Sequence, residues 1–206
     1  MSHILHGPPG PSRSSGAEST DSPTEILIVD DHPAIREALS AAIEREEGLQ
    51  VVGAFDNVVD VEAYLEERTP DILVVDITLG GEDGLTLIEH IRTESPETRV
   101  LVYSMHDESL YAGRALRAGA MGYVPKSAPT DDVIEAIHQI EQGDVYLSRQ
   151  IASQILGKVI HNQGYAANPV EQLTDREMTV FRMIGQGYSV REIAEELDRS
   201  RKTVET

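Results

Sequence analysis

The sequence predicts a doubly wound α/β fold, in which helices cover both faces of a five-stranded parallel sheet, followed by a small all-α domain. Two observations predict the sheet: five short, almost continuous apolar runs, and helical patterns between them. A third, the change to short helical patterns after residue 172, predicts the second domain. The strand runs are ILIVD at 26–30, VVGAF at 51–55, ILVVD at 72–76, VLVYS at 100–104 and MGYVP at 121–125.

Apolar residues at helical spacing predict the elements between the strands. One pattern follows Pro33, a second begins near residue 84, and a third begins at Val133. The segment SLYAGRALRAGAM, which precedes the last strand, is rich in alanine and glycine and poor in large apolar residues. A helix with so few large apolar side chains to bury is compatible with a movable element.

Composition limits the classes of protein that are compatible with this chain. Its 206 residues suggest one or two domains, and the lack of cysteine excludes disulfides, thiolate metal sites and thiol catalysis. No apolar run approaches the roughly 18 residues of a membrane span. Residues 1–24 are rich in proline, glycine and serine and lack the apolar core of a signal peptide, so we expect a disordered tail and a cytoplasmic protein without a membrane partner.

The net charge of −19 is distributed unevenly along the chain. Residues 25–142 contain 25 acidic and 8 basic residues, whereas residues 143–206 contain 9 acidic and 8 basic residues. An acidic surface favours solubility in general. The uneven distribution suggests two units with different roles.

Polar side chains follow four of the predicted strands. Asp30 and Asp31 end the first strand, Asp76 the third and Ser104 the fourth, while Lys126 follows the fifth. In doubly wound sheets the ligand lies at the carboxyl ends of the strands, so we expect these groups to converge. Three carboxylates favour a hard cation, Mg²⁺, and the lysine and serine can bind phosphate oxygens.

Each of these residues also has a simpler explanation. Asp31 could favour the start of the next helix, Asp76 could be a loop acid, Lys126 a surface charge and Ser104 a hydroxyl bonded to backbone. Taken singly, each simpler explanation is the better one. Together they require four coincidences at equivalent strand ends, so a binding site is favoured.

These residues, with their spacing, resemble the response regulator receiver, a CheY-like domain of the flavodoxin type, over residues 25–142. The pair Asp30-Asp31 resembles the metal-binding acids of that family, and DITLGGEDG resembles its phosphoacceptor segment, which opens at Asp76. Ser104 resembles the switch hydroxyl, Tyr123 the switch aromatic residue, and Lys126 the active-site lysine.

The resemblance implies that Asp76 takes a phosphoryl group from a sensor histidine kinase. Mg²⁺ and Lys126 would offset the charge of the transferring group, and the backbone carbonyl of Thr78 would be a further metal ligand. Ser104 would then turn toward the phosphate, and Tyr123 would rotate inward into the space that it leaves.

The chain departs from the family pattern at two points. Gly80 stands where the family often has proline, so we expect the Gly80-Gly81 loop to be more flexible. Lys126 is followed by Ser127 rather than by a cis proline, which leaves the geometry around the lysine open. Neither change removes a chemical group.

The second unit follows a linker at 143–172 that contains a helical pattern over 148–160. Within 173–206, TDRE at 174–177 and SVRE at 189–192 have the spacing of helix capping boxes. This segment resembles the LuxR/FixJ-type helix-turn-helix DNA-binding domain. A receiver followed by such a domain is the arrangement of the NarL/FixJ subfamily of transcription regulators.

By this resemblance, the recognition helix begins near Lys202 and continues past Thr206, so we expect a shortened form of a longer regulator. The predicted DNA contacts fall on this helix, at Arg201, Lys202, Thr203, Glu205 and Thr206. Because the basic residues are few and the predicted helix is short, we expect this chain to bind DNA weakly.

Two functions remain open from the sequence. The first is a transcription regulator gated by phosphorylation, acting on DNA and forming a homodimer when phosphorylated. The second is a phosphorylation-dependent protein-interaction module whose helical tail does not bind DNA. A hydrolase is a weaker alternative, since Thr78 occupies the position two residues after Asp76 where such enzymes carry a second acid. We therefore expect no enzyme activity beyond self-phosphorylation and slow dephosphorylation.

Overall fold

The computed structural model describes residues 22–160 and a few positions beyond them, namely Val180, Met183, Ile184, Tyr188, Glu192 and Ile193. Nearly all of the predicted tail and most of the predicted helix-turn-helix segment lie outside the described residues. The same holds for the predicted DNA contacts Arg201, Lys202, Thr203, Glu205 and Thr206. Thr24, which the sequence placed in the tail, opens the first strand.

The five predicted strands form one parallel sheet, with the strand order β2-β1-β3-β6-β7. The reversal of winding beside β1 creates the crevice that the sequence predicted at the carboxyl ends of the strands. Asp30 and Asp76 lie one residue past their strands rather than inside them. The strands are β1 (Thr24–Val29), β2 (Leu49–Phe55), β3 (Ile72–Val75), β6 (Arg99–Ser104) and β7 (Gly122–Pro125).

Five helices connect or follow the strands, in agreement with the predicted alternation of strands and helices, although no helical pattern predicted the one between β2 and β3, and a sixth lies in the linker. None of the helices in the described residues is long and apolar enough to cross a membrane. Gly119, with a φ of 128°, ends the alanine-rich helix α4, which is three residues shorter at that end than the predicted pattern. The helices are α1 (Pro33–Ile43), α2 (Val58–Glu67), α3 (Gly84–Glu94), α4 (Glu108–Ala118), α5 (Thr130–Glu141) and α6 (Arg149–Ile160).

Alternate residues of each strand point to opposite faces of the sheet and contribute to two hydrophobic layers, one on each face. Leu27 and Leu73 pack with α2, α3 and α4 on one face. Ile26 and Ile72 pack with α1 and α5 on the other. The sheet is therefore buried on both sides, which explains why the strand sequences are continuously apolar.

A small hairpin between β3 and α3 was not predicted. β4 (Thr78–Leu79) pairs antiparallel with β5 (Glu82–Asp83), and Gly80 and Gly81 form the two-residue turn. Both glycines have positive φ, 58° and 102°, as a tight hairpin turn of this kind requires. The loop therefore forms a defined turn whose first residue no proline could occupy, and its greater flexibility stays a prediction.

The linker is attached to the same domain by backbone and side-chain contacts. Tyr146 forms a parallel bridge with Gly122 at the edge of β7, and its carbonyl accepts from the amide of Tyr123 at 3.0 Å. Glu108, at the start of α4, accepts from the amide of Ser148 at 3.0 Å. Ile151 of α6 is 4% exposed and belongs to the hydrophobic layer that α2, α3 and α4 cover. The linker therefore contacts β7 and α4 directly.

Candidate functional site

The structure brings together the polar residues that the sequence placed at the strand ends. Asp30 and Asp76 follow β1 and β3, Ser104 ends β6, and Lys126 follows β7. Asp30, Asp76 and Ser104 are 2%, 4% and 0% exposed. Because buried charges are costly unless they are paired, their partners determine what the site can do.

Lys126 is the cation shared by two of the acids. Its Nζ lies 2.5 Å from Asp30 Oδ2 and 2.6 Å from Asp76 Oδ2. Burial of the ammonium acts to lower the pKa of Lys126, but the hydrogen bonds to Asp30 and Asp76 outweigh burial and raise it above its usual range. The lysine therefore stays charged, and the described peptide bonds around it are all trans.

The other oxygen of Asp76 faces Ser104. Ser104 Oγ donates to Asp76 Oδ1 at 2.5 Å. Tyr123 is fully buried, and its hydroxyl donates to the carbonyl of His106 at 2.9 Å. Burial, followed by the nearby charge of Asp76, raises the pKa of Tyr123 above its usual range. The serine turned toward the acid and the tyrosine turned inward form the arrangement that the resemblance attributed to phosphorylated Asp76.

Asp31 and His32 complete an acidic cluster beside Asp30 and Asp76. One ligand atom from each of these four residues lies within 4.8 Å of the others. Asp31 Oδ1 lies 2.6 Å from His32 Nδ1, and its other oxygen accepts from the amide of Gly80 at 3.1 Å. Three carboxylates this close together offer the oxygen ligands that a hard divalent cation such as Mg²⁺ prefers.

Thr78, the predicted carbonyl ligand, lies at the rim of this cluster. Its amide points toward Asp76 Oδ1 at 3.4 Å, and its Oγ1 is hydrogen-bonded to His106 Nε2 at 2.7 Å. These contacts place Thr78 beside Asp76, but they involve its amide and hydroxyl and not the carbonyl predicted to bind the metal. That role remains a prediction.

Three residues that support the site were not singled out from the sequence. Gly84 donates its amide to the carbonyl of Ile77 at 2.7 Å, and a methyl group on it would collide with the Asp76 carbonyl and come within 2.9 Å of Ile77 Cα. Arg36 donates to the carbonyl of Asp30 at 2.5 Å. His32 is the third. A glycine directly after the acid that caps α3 was the available signal for Gly84.

Comparisons with known proteins agree with this geometry. Residues 26–138 match the family described as "Response regulator receiver domain". Residues 171–206 match "Bacterial regulatory proteins, luxR family". The chain is a response regulator of the NarL/FixJ type. It combines a receiver with a LuxR-type DNA-binding domain, the composition of two-component response regulators that control transcription.

Similar proteins cover most of this response regulator. The "Oxygen regulatory protein NreC" of Staphylococcus carnosus is 32% identical over 88% of this chain and 86% of its own length. The "Fimbriae Z protein" of Salmonella typhimurium is 34% identical over 88% of this chain and 85% of its own length.

Among solved structures, a LuxR-family response regulator from Aurantimonas is 37% identical, with a TM-score of 0.62, over 68% of this chain and 99% of that one. The response regulator RcsB, in a complex with DNA, is 26% identical, with a TM-score of 0.61, over 89% of this chain and 87% of that one.

Proposed function

We propose that Asp76 is the phosphoacceptor of this response regulator, and that its phosphorylation by a sensor histidine kinase controls the C-terminal DNA-binding domain. One observation carries this proposal: Asp30, Asp31, Asp76, Ser104 and Lys126 meet at one edge of the sheet. The two carboxylate oxygens of Asp76 face an ammonium and a hydroxyl, both of which can also bind phosphate oxygens.

In the proposed reaction, a carboxylate oxygen of Asp76 attacks the phosphorus of a phosphohistidine on the kinase. The bond between phosphorus and the histidine nitrogen breaks, a bond between phosphorus and the Asp76 oxygen forms, and the histidine nitrogen keeps the electron pair. Lys126 and Ser104 would hold the oxygens of the transferred group. Asp30, Asp31, Asp76 and the backbone carbonyl of Thr78 would hold Mg²⁺, which when bound neutralises charge on that group.

The proposal includes no other enzymatic activity. The receiver would catalyse its own phosphorylation and the slow loss of the phosphate. Thr78, two residues after Asp76, carries a hydroxyl rather than an acid, and that hydroxyl is bonded to His106. General acid catalysis of phosphate release from this position is therefore not expected.

DNA is the proposed target of the second domain. Solved structures of RcsB include complexes with DNA, in one case two dimers on two parallel DNAs. We extend this to the chain as a cytoplasmic regulator that binds DNA as a homodimer. The match to the LuxR family over 171–206 favours this role over a protein-interaction module. The basic residues Arg201 and Lys202 and their neighbour Thr203 would contact phosphates, and Glu205 and Thr206 would face bases.

Calorimetric titration with Mg²⁺ tests the metal part of the proposal. Asp31→Asn removes a charged ligand, so Mg²⁺ affinity should fall by about tenfold or more. Stability without the ion should not fall, because the change relieves repulsion among carboxylates. Asp144→Asn, an equal charge change at an exposed position outside the cluster, is the matched control. Equal Mg²⁺ affinity for Asp31→Asn and wild type would contradict the site.

A further inference from the structure

The start of the linker helix α6 has half of a capping box within its own sequence. Ser148, the residue before α6, accepts from the amide of Ile151 at 3.3 Å through its Oγ, as an N-cap serine does. In a complete capping box, a glutamate or glutamine three residues after the serine accepts from the amide of the N-cap residue. Here that position is Ile151, whose side chain has no acceptor.

The missing acceptor is supplied by another helix. Glu108, the first residue of α4, accepts from the amide of Ser148 at 3.0 Å through its Oε1. An amide at a helix start has no partner within the helix, and the helix dipole favours a negative charge there. Glu108 therefore completes the capping box of α6 from the receiver.

A second attachment joins the linker to the backbone of Tyr123. The amide of Tyr146 donates to the carbonyl of Met121 at 3.0 Å, and the amide of Tyr123 donates to the carbonyl of Tyr146 at 3.0 Å. These hydrogen bonds lie on either side of Gly122, which forms the bridge with Tyr146. The linker thus adds one strand residue to the edge of β7, next to the proposed switch tyrosine.

The side chain of Tyr123 also holds the end of α4 that carries Glu108. Its hydroxyl donates to the carbonyl of His106, two residues before Glu108, at 2.9 Å. The opposite end of α4 is held separately, because Arg92 donates to the carbonyl of Arg117 at 3.0 Å. An outward turn of Tyr123 would therefore free the start of α4 while its other end stays attached to α3.

We propose that Glu108 is an external cap for α6, and that this cap makes the attachment of the linker depend on the rotamer of Tyr123. The inference rests on the proposed function for the phosphorylation that turns Tyr123 inward. With Tyr123 inward, both attachments form. With Tyr123 outward, Glu108 moves away from Ser148, and the first turn of α6 loses its cap. The linker that leads to the DNA-binding domain is held in one state and released in the other.

Hydrogen exchange in the full chain, followed by NMR, tests the external cap. Glu108→Ala should speed exchange at the Ser148 amide by about fivefold or more relative to the amide of Val74, a residue of β3 that reports global unfolding. Glu108→Gln should have a smaller effect, because its amide oxygen can still accept. Glu89→Ala, at an exposed glutamate of α3, is the matched control. A Glu108→Ala effect no larger than that of the control would overturn the proposal.

The dependence on the switch is tested by the same measurement with Mg²⁺ and acetyl phosphate, with the intact mass recorded on each sample. Phosphorylation should slow exchange at the Ser148 amide by about fivefold in wild type, and this difference should disappear in Glu108→Ala. A gain in mass with unchanged exchange at Ser148 would overturn the inference and leave the proposed function standing. No gain in mass in wild type would contradict the proposed function, and the dependence on Tyr123 would fail with it.

Discussion

At the scale of single residues, the site depends on one buried ammonium shared by two buried carboxylates. Asp30, Asp76 and Lys126 have side chains that are 1% to 4% exposed, so water screens their charges little. Removing one partner of a buried ion pair is much more costly than replacing the whole pair, because the other charge remains unpaired. Lys126 is thus a structural residue of the site as well as a proposed phosphate ligand.

Lys126→Ala should therefore lower the free energy of unfolding by about 3–5 kcal/mol in the absence of divalent ions. Added Mg²⁺ should recover part of the loss, since the ion takes over as counter-charge for the acids. Urea unfolding with and without Mg²⁺ measures both effects. Arg45→Ala, at an exposed position after α1, is the control. A loss no larger than the control would show that the pair is unimportant for stability.

The sequence predicted which side chains would meet but not how they pair. Asp30, Asp76, Ser104 and Lys126 could be placed together because parallel strands end at one edge. The bridging position of Lys126 depends on the turn after β7, and a propensity argument does not define that turn. The contact of His32 with Asp31 was not predicted, because it follows from loop geometry rather than from periodicity.

At the scale of elements, the connection from β3 to α3 leaves no room for a side chain at Gly84. This residue lies against the backbone of Asp76 and Ile77, directly beneath the proposed phosphoacceptor. The hairpin β4–β5 returns the chain to this point. Close packing here fixes the backbone from which the Asp76 side chain projects.

Gly84→Ala should destabilise the fold by more than about 2 kcal/mol and reduce phosphorylation, because the added methyl must displace the Asp76 backbone. Gly113→Ala is a matched control in α4, where the nearest atom would be the tip of Arg117 at 3.8 Å. This control should be neutral or stabilising by up to about 1 kcal/mol. Thermal unfolding of both variants checks the contrast, and similar effects at the two positions would contradict the account.

The larger elements were predictable and the smaller ones were not. The five sheet strands are continuously apolar and the helices α1, α3 and α5 carry a clear helical period, so their types were predicted correctly, with ends shifted by a few residues. β4 and β5 have two residues each and show no period, although Gly80-Gly81 is a recognisable hairpin signal. The contact of Tyr146 with the edge of β7 joins positions 24 residues apart and has no local signature.

At the scale of the whole molecule, three tyrosines make the stability of the fold depend on pH in the alkaline range. Burial raises the pKa of Tyr103, Tyr123 and Tyr146 above the ordinary value of 10.0, with neighbouring acids adding to the effect. A raised pKa in the folded state means that the unfolded chain loses its protons first. The resulting stability is complete below pH 10 and is lost as the pH rises toward the folded-state values.

Tyr123→Phe should make the wild-type decline in stability above pH 10 shallower, by up to about 1.4 kcal/mol per pH unit. At neutral pH the variant should be less stable by about 1 kcal/mol, because the hydrogen bond to His106 is lost. Urea unfolding across a pH series measures both effects. An alkaline slope equal to that of wild type would contradict the assigned burial of Tyr123.

The two-unit organisation was also predictable from the sequence, because charge density and helical patterning both change after residue 142. The family matches fall on two separate segments, 26–138 and 171–206, while the exact boundaries of the two units stay a prediction. The positions of the predicted DNA contacts relative to the receiver lie outside the described residues.

The most direct test of the central claim is the intact mass of the full chain after incubation with Mg²⁺ and acetyl phosphate. Wild type should gain the mass of a single phosphoryl group, because Asp76 has one oxygen paired with Lys126 and the other with Ser104, the groups proposed to hold the phosphoryl oxygens. Asp76→Ala should gain none, and omitting Mg²⁺ should abolish or strongly reduce the gain in wild type. An adduct of equal yield on Asp76→Ala would contradict the assignment of Asp76 as the phosphoacceptor.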